Sequence, residues 1–161
     1  GYRKDDLTGR IKGQGNMQIV EHRSLFFCNL ISYKTHLERE KLPEFAEHVK
    51  RNISRLGVEA SDNMLFTVKS GEFRNIEVLI PISEELKSCN EYSFKPVFRL
   101  INAVCIRHEG TFGSIEETLG TLFDYINSRA YEPITAPYYS IVRLGTECII
   151  DIYVGTNYNI L

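Results

Sequence analysis

The sequence has no surplus of charge of either sign: 19 Lys and Arg stand against 21 Asp and Glu, for a formal net charge of -2. A basic surface supplies most of the affinity for a phosphate backbone, so direct nucleic-acid binding is not expected. No apolar run approaches the ~18–20 residues that a membrane span requires. The N-terminus also lacks the basic-then-apolar pattern of a secretory signal. Neither a membrane nor an export role is expected. The four cysteines, Cys28, Cys89, Cys105 and Cys148, show no C-x-x-C and no Cys/His spacing suited to a metal. The histidines at 22, 36, 48 and 108 are scattered, with no i,i+4 pair. Phosphate-loop, nucleophile-elbow and dinucleotide fingerprints are missing as well. No metal and no cofactor is expected.

What is present is ordinary globular composition: 161 residues, 43% hydrophobic and 25% charged. That length suits one domain and can build a core without covalent staples. Cys28, Cys105 and Cys148 lie inside apolar, strand-like runs and read as small core residues. All four cysteines read as reduced thiols of a cytoplasmic protein. Residues 1–16 are polar and Gly-rich and read as a flexible leader, or as a remnant ahead of a natural start at Met17. The domain is expected over 17–161.

Two passages of the same kind follow one another. β-branched and aromatic residues over 17–33 predict a long strand. Pro43 then suits a first helical turn, and Phe45, Ala46, Val49, Ile53 and Leu56 recur at helical spacing up to Gly57. Strands are predicted over 64–69 and 74–82, around a turn at Ser70-Gly71-Glu72. The second half repeats the order: a strand over 92–107, with Pro96 marking an edge or bulge, then a helix. That helix opens on a capping box, Ser114 to Glu117, and carries Ile115, Leu119, Leu122, Phe123 and Ile126. Strands over 138–144 and 147–154 close it around Gly145-Thr146. Phe45 precedes Leu119 by 74 positions, Met64 precedes Tyr138 by 74, and Glu77 precedes Asp151 by 74. The expectation is an α+β domain of two tandem β-α-β-β repeats, 17–88 and 89–161, packed together because neither could bury its apolar face alone.

The closing strand of each repeat carries one carboxylate among aliphatics. Alternation puts Ile76, Val78, Ile80 and Ile82 on one face and Glu77 and Leu79 on the other. In the second repeat it separates Ile150, Ile152 and Val154 from Asp151 and Tyr153. The aliphatic faces are expected under the helices. A lone acid with apolar neighbours on the opposite face suits an amphiphilic or cationic ligand; the plain alternative is an ordinary exposed sheet face.

The run His108-Glu109-Gly110-Thr111-Phe112-Gly113-Ser114-Ile115 resembles the approach to the helix in gyrase-inhibitor-like proteins. The same effector-binding domain ends many multidrug-sensing transcription regulators. Pro137-Tyr138-Tyr139 and Asp151-Ile152-Tyr153-Val154-Gly155 are similar to that family's Pro-Tyr strand and its Glu-x-Tyr-x-Pro closing strand. Glu77-Val78-Leu79-Ile80-Pro81 resembles the closing strand again. The resemblance spans about residues 17–155. It implies a pseudo-twofold antiparallel sheet with helices on one side and a ligand groove on the other. It further implies that Asp151 reads a cationic ligand, with Tyr153, Tyr139 and Phe112 as aromatic walls; Tyr138, Phe66 and Glu77 complete the expected lining. Asp stands where the family has Glu, and Gly155 where it has Pro.

Three functions follow in order of expectation. The first is a stand-alone small-molecule-binding module, with no DNA-binding segment ahead of the repeats. The second is an adaptor or inhibitor that binds a protein partner, as some relatives do. The third is a hydrolase of reactive xenobiotics, which the resemblance would assign to Asp151 and Tyr139 as acid and nearby tyrosine.

Overall fold

A computed structural model describes residues 18–68 and 75–157 of the chain. The leader over 1–16, the turn at 70–72 and the four C-terminal residues lie outside the described residues.

The elements run β1 (Ile19–His36), α1 (Leu42–Arg55), β2 (Leu65–Val68), β3 (Asn75–Pro81), β4 (Ser93–Gly110), α2 (Ile115–Ser128), β5 (Glu132–Pro133), β6 (Tyr138–Arg143) and β7 (Cys148–Asn157). All strand pairs are antiparallel. The order is β4-β1-β3-β2-β6-β7-β5, and β4 also pairs with β7, so six strands close into a ring of pairings. In the first half β3 lies between β1 and β2; in the second β7 lies between β4 and β6. β1 pairs with β4 and β2 with β6 to join the halves. The α+β class and the antiparallel sheet agree with the expectation from sequence. The two-residue β5 carries no sequence signal of its own.

β1 and β4, 18 residues each, are too long to keep one strict alternation. Their register shifts around Arg23, beside His22 at φ 59° and Asn102 at φ 59°. Asn29 is also left-handed (φ 61°), a conformation that Asn and His tolerate better than most residues. Its carbonyl accepts from the Ile82 N–H at 2.7 Å. Pro96, which has no N–H to give, falls between the flanking pairs Leu30–Lys95 and Cys28–Val97.

Both helices pack on one face. α1 buries Leu42, Ala46, Val49 and Ile53, and α2 buries Ile115, Thr118, Leu122 and Ile126. They share a cluster with Ile76, Val78, Ile80, Ile150, Ile152 and Val154, the aliphatic faces singled out by alternation. Pro43 occupies the first turn of α1, and Gly57 follows that helix at φ 80°. The capping box does not form. Ser114 makes no side-chain cap; its hydroxyl donates to the Thr111 carbonyl at 3.0 Å, because a 3-10 turn over Phe112–Ser114 precedes α2. His108 secures that approach instead, buried between the Thr118 hydroxyl at 2.6 Å and the Thr111 carbonyl at 2.8 Å.

All four cysteines are free thiols. Cys105 and Cys148 are buried as expected, but Cys28 is exposed. It sits where β1 twists past Asn29, and an apolar run there does not imply burial. Among the described residues no helix is long and apolar enough to cross a membrane, and no cluster of ligating side chains could hold a metal ion.

Candidate functional site on the helix-free face

Asp151 and Glu77 lie on the face away from the helices, and each is already engaged. Asp151 on β7 lies opposite Arg107 on β4 and Ser140 on β6. Arg107 donates from Nε to Oδ1 at 2.8 Å and from Nη2 to Oδ2 at 3.0 Å. The fork is bidentate, the geometry that suits guanidinium and carboxylate best. Arg107 is 48% exposed and Asp151 only 14%. The hydrogen bond to Asp151 raises the Arg107 pKa above its usual value, against the opposing effect of burial.

Two residues along, Cys105 faces Tyr153 across the same strand pair. Burial first, then the Asp151 charge, pushes the Cys105 thiol up to about 12. Burial likewise pushes the Tyr153 hydroxyl up to about 12, with help from Cys105 and Asp151. Both therefore stay protonated and neutral at ordinary pH. Gln18, Val20 and Arg23 at the start of β1 complete a cavity of about 240 Å3 around these groups. Its charged lining is two guanidiniums and one carboxylate.

Glu77 is buried to 4% on β3. The Ser32 hydroxyl donates to it at 2.5 Å, and the Lys95 ammonium lies 3.3 Å away. Between the two acids the face is packed. Leu30, Leu65 and Leu79 are fully covered, with Leu25, Phe27, Phe98 and Tyr138 packed against them. Phe98 stacks on Phe27 at 6.3 Å and meets Tyr138 edge-on at 5.2 Å. Phe27 and Leu30 could not share a side of a regular strand; the left-handed Asn29 between them makes it possible. The expected groove is thus filled at its centre by side chains of β1 and β4, and open at the Asp151 end.

The sequence-derived residues divide between the two faces. Asp151, Tyr153, Tyr138 and Glu77 lie on the helix-free face. Phe66, Tyr139 and Phe112 do not. Phe66 stacks flat on Tyr139, with centroids 4.5 Å apart and planes at 5°, inside the helix-side core. Phe112, in the turn before α2, packs against the same core. Register explains the correction: Phe66 pairs with Tyr139, and Tyr139 with Ile152, so all three point one way. Asp151 and Tyr139 are on opposite faces and do not form the acid–tyrosine pair of the hydrolase reading. Arg107, Arg23 and Cys105 were missed. Arg107 and Cys105 alternate along one strand, a readable signal, but their pairing with β7 depends on chain reversal through α2.

No family model and no curated protein matches the sequence. Solved structures match its fold. The EcmrR C-terminal domain superposes with a TM-score of 0.72 at 12% identity, over 89% of this chain and 98% of that one. The fold resembles that of the EcmrR C-terminal domain. EcmrR in a cryo-EM complex with DNA gives a TM-score of 0.77 at 12% identity, over 89% of this chain. The chain spans 58% of that EcmrR chain. An uncharacterized conserved protein from Listeria innocua gives 0.56 at 9% identity, over 88% of this chain and 92% of that one.

Proposed function

We propose that this chain is a small-molecule-binding module that takes an amphiphilic ligand at the Asp151 end of the helix-free face. The observation that carries the reading is the cavity of about 240 Å3, where charged groups and the polar tips of Tyr153 and Cys105 meet apolar Val20. A few convergent polar groups in a concave recess fix the orientation of a ligand. The effector-binding motifs resembled by the sequence, and the likeness to the EcmrR C-terminal domain, support the same reading.

The charge of the ligand follows from the Arg107–Asp151 fork. A cationic head, as the resemblance implies, has to take Asp151 from Arg107. A neutral or acidic head is received by Arg107 and Arg23 without breaking that pair. The lining thus favours an amphiphile with an acceptor-bearing head.

Backbone-amide titration with benzenesulfonate and with benzyltrimethylammonium tests this. Saturable shifts at Cys105, Arg107, Asp151 and Tyr153, stronger for the anion and weakened about tenfold by Arg107→Met, are expected. Absence of saturable shifts on this face with either compound would overturn the reading.

The second reading, a protein-interaction module, is favoured by exposed apolar side chains on the β1–β4 ribbon: Phe26 is 54% exposed, Val97 49% and Ile101 59%. Sedimentation of the purified chain and of Ile101→Ser tests whether that ribbon is a contact surface. A concentration-dependent mass lost in the variant supports it, and identical monomers oppose it.

A further inference from the structure

A second recess lies on the other side of the sheet, away from Asp151. It has a volume of about 500 Å3 and opens between α1, the C-terminal part of β1 and the segment leading into β4. Tyr33, Phe45 and Tyr92 supply three aromatic rings, and Val49 and Leu56 supply aliphatic wall. Tyr33 and Tyr92 meet edge-on at 6.0 Å and 64°, a stable arrangement that leaves ring surface facing the recess.

The polar groups are concentrated on one wall. His48, Asn52 and Arg55 follow at i, i+4 and i+7 on α1, so the helical period itself lines them up along the opening. Asn52 Nδ2 and His48 Nε2 are 3.1 Å apart. The Arg55 guanidinium lines the recess and has no ion-pair partner among the described residues. Glu91 is the one acid in the lining. After burial, its charge helps to raise the pKa of both Tyr33 and Tyr92. The acid belongs to the segment leading into β4, whereas His48, Asn52 and Arg55 belong to α1.

We propose that this recess is a second ligand site, which takes a planar aromatic carboxylate. The ring system lies among Tyr33, Phe45 and Tyr92, and the carboxylate is received by Arg55 with the Asn52 amide beside it. The space admits a two-ring aromatic, and a guanidinium with no ion-pair partner among the described residues, beside an aromatic floor, is suited to an aromatic acid by charge and by stacking alike. The site is independent of the Asp151 cavity, because the sheet and its core separate the two.

The test uses 2-naphthoate, with 2-naphthylmethanol and 2-naphthylmethylammonium as uncharged and cationic counterparts. Amide shifts of the full chain are followed for wild type, Arg55→Met and Tyr92→Leu. The expected result is saturable binding of 2-naphthoate, with shifts at Tyr33, Val49, Asn52, Arg55 and Tyr92. Arg55→Met should weaken it about tenfold, and Tyr92→Leu more, while the thermal midpoint stays close to wild type. Arg55→Met keeps most of the apolar stem and sits at an exposed helix end, so it reads the charge even if Tyr92→Leu loosens the segment before β4. No saturable binding, tighter binding of the ammonium compound, equal affinity in Arg55→Met, or shifts confined to the Asp151 face would each overturn the proposal. The last of these results would leave the reading of the helix-free face standing.

Discussion

Arg107 grips Asp151 by two parallel hydrogen bonds, 2.8 and 3.0 Å long, across the β4–β7 pair. An acid that the sequence singles out for a cationic ligand is already paired within the chain. Binding of a cation at this site is then an exchange of one guanidinium for another positive head, and its free energy is the difference between them.

Arg107→Met should reverse the charge preference of the site. With the guanidinium gone, Asp151 is left partly buried beside Cys105 and Tyr153, and a cation can satisfy it. Benzyltrimethylammonium should bind on the order of tenfold more tightly than to wild type, and benzenesulfonate more weakly. Calorimetric titration of both compounds reads this. Unchanged affinity for the cation would mean that the fork does not govern the site.

Leu79→Ala should cost as much as a change in the helix-side core. Leu79 is 2% exposed although no helix covers its face. A truncation in a packed interior costs about 2–5 kcal/mol, whereas one in an open groove costs far less. Denaturant unfolding of Leu79→Ala beside Leu122→Ala, both expected in that range, measures how completely β1 and β4 fill the face.

Glu21 should make stability acid-sensitive. Burial raises its pKa, but hydroxyls of Tyr125 and Tyr131 donate to it and Arg129 stands 3.4 Å away, and the net result is a carboxyl held below its usual 4.5. A depressed folded pKa contributes stability that is present above the unfolded value and lost as pH falls through the folded one. Wild type should therefore exceed Glu21→Gln in thermal midpoint at pH 7, and the gap should close as pH drops below about 4.5. A gap that stays constant to pH 3 would refute the assignment.

Gly155 should resist replacement by the proline found at this place in the resembled motif. Its N–H donates to the Thr135 hydroxyl at 2.9 Å, and its carbonyl accepts from Ile134 at 2.8 Å. A Cβ here would come within 2.8 Å of Thr135 Cγ2 and 3.1 Å of Leu100 Cδ1. Gly155→Ala should lose about 1–3 kcal/mol by overpacking, and Gly155→Pro more, because the donor is lost as well. Denaturant midpoints of the two variants give the order.

Period-2 alternation assigns Ile76, Val78, Ile150 and Ile152 to the core face, and they lie in the helix-side core. Motif likeness assigns Tyr139 to the groove, although Tyr139 adjoins Tyr138 on one strand and must point the other way, stacked on Phe66 in the helix-side core. Alternation along β6 puts Tyr138 on the helix-free face and Tyr139 on the helix side. The Ser114 capping box failed for a different reason: the 3-10 turn ahead of α2 uses the Ser114 hydroxyl locally, and local sequence cannot weigh one hydrogen bond against the other.

The sequence by itself determined the α+β class, most of the strands and both helices, because hydrophobic period and turn chemistry are local properties. It also put a single carboxylate on the outward face of β3 and of β7. Only the tertiary structure decided what those carboxylates meet. Arg107 reaches Asp151 from 44 residues away and Ser32 reaches Glu77 from 45, and both pairings depend on strand order and register. The filling of the central groove was likewise decided by a left-handed Asn29, a single backbone choice that moves Phe27 onto the same side as Leu30.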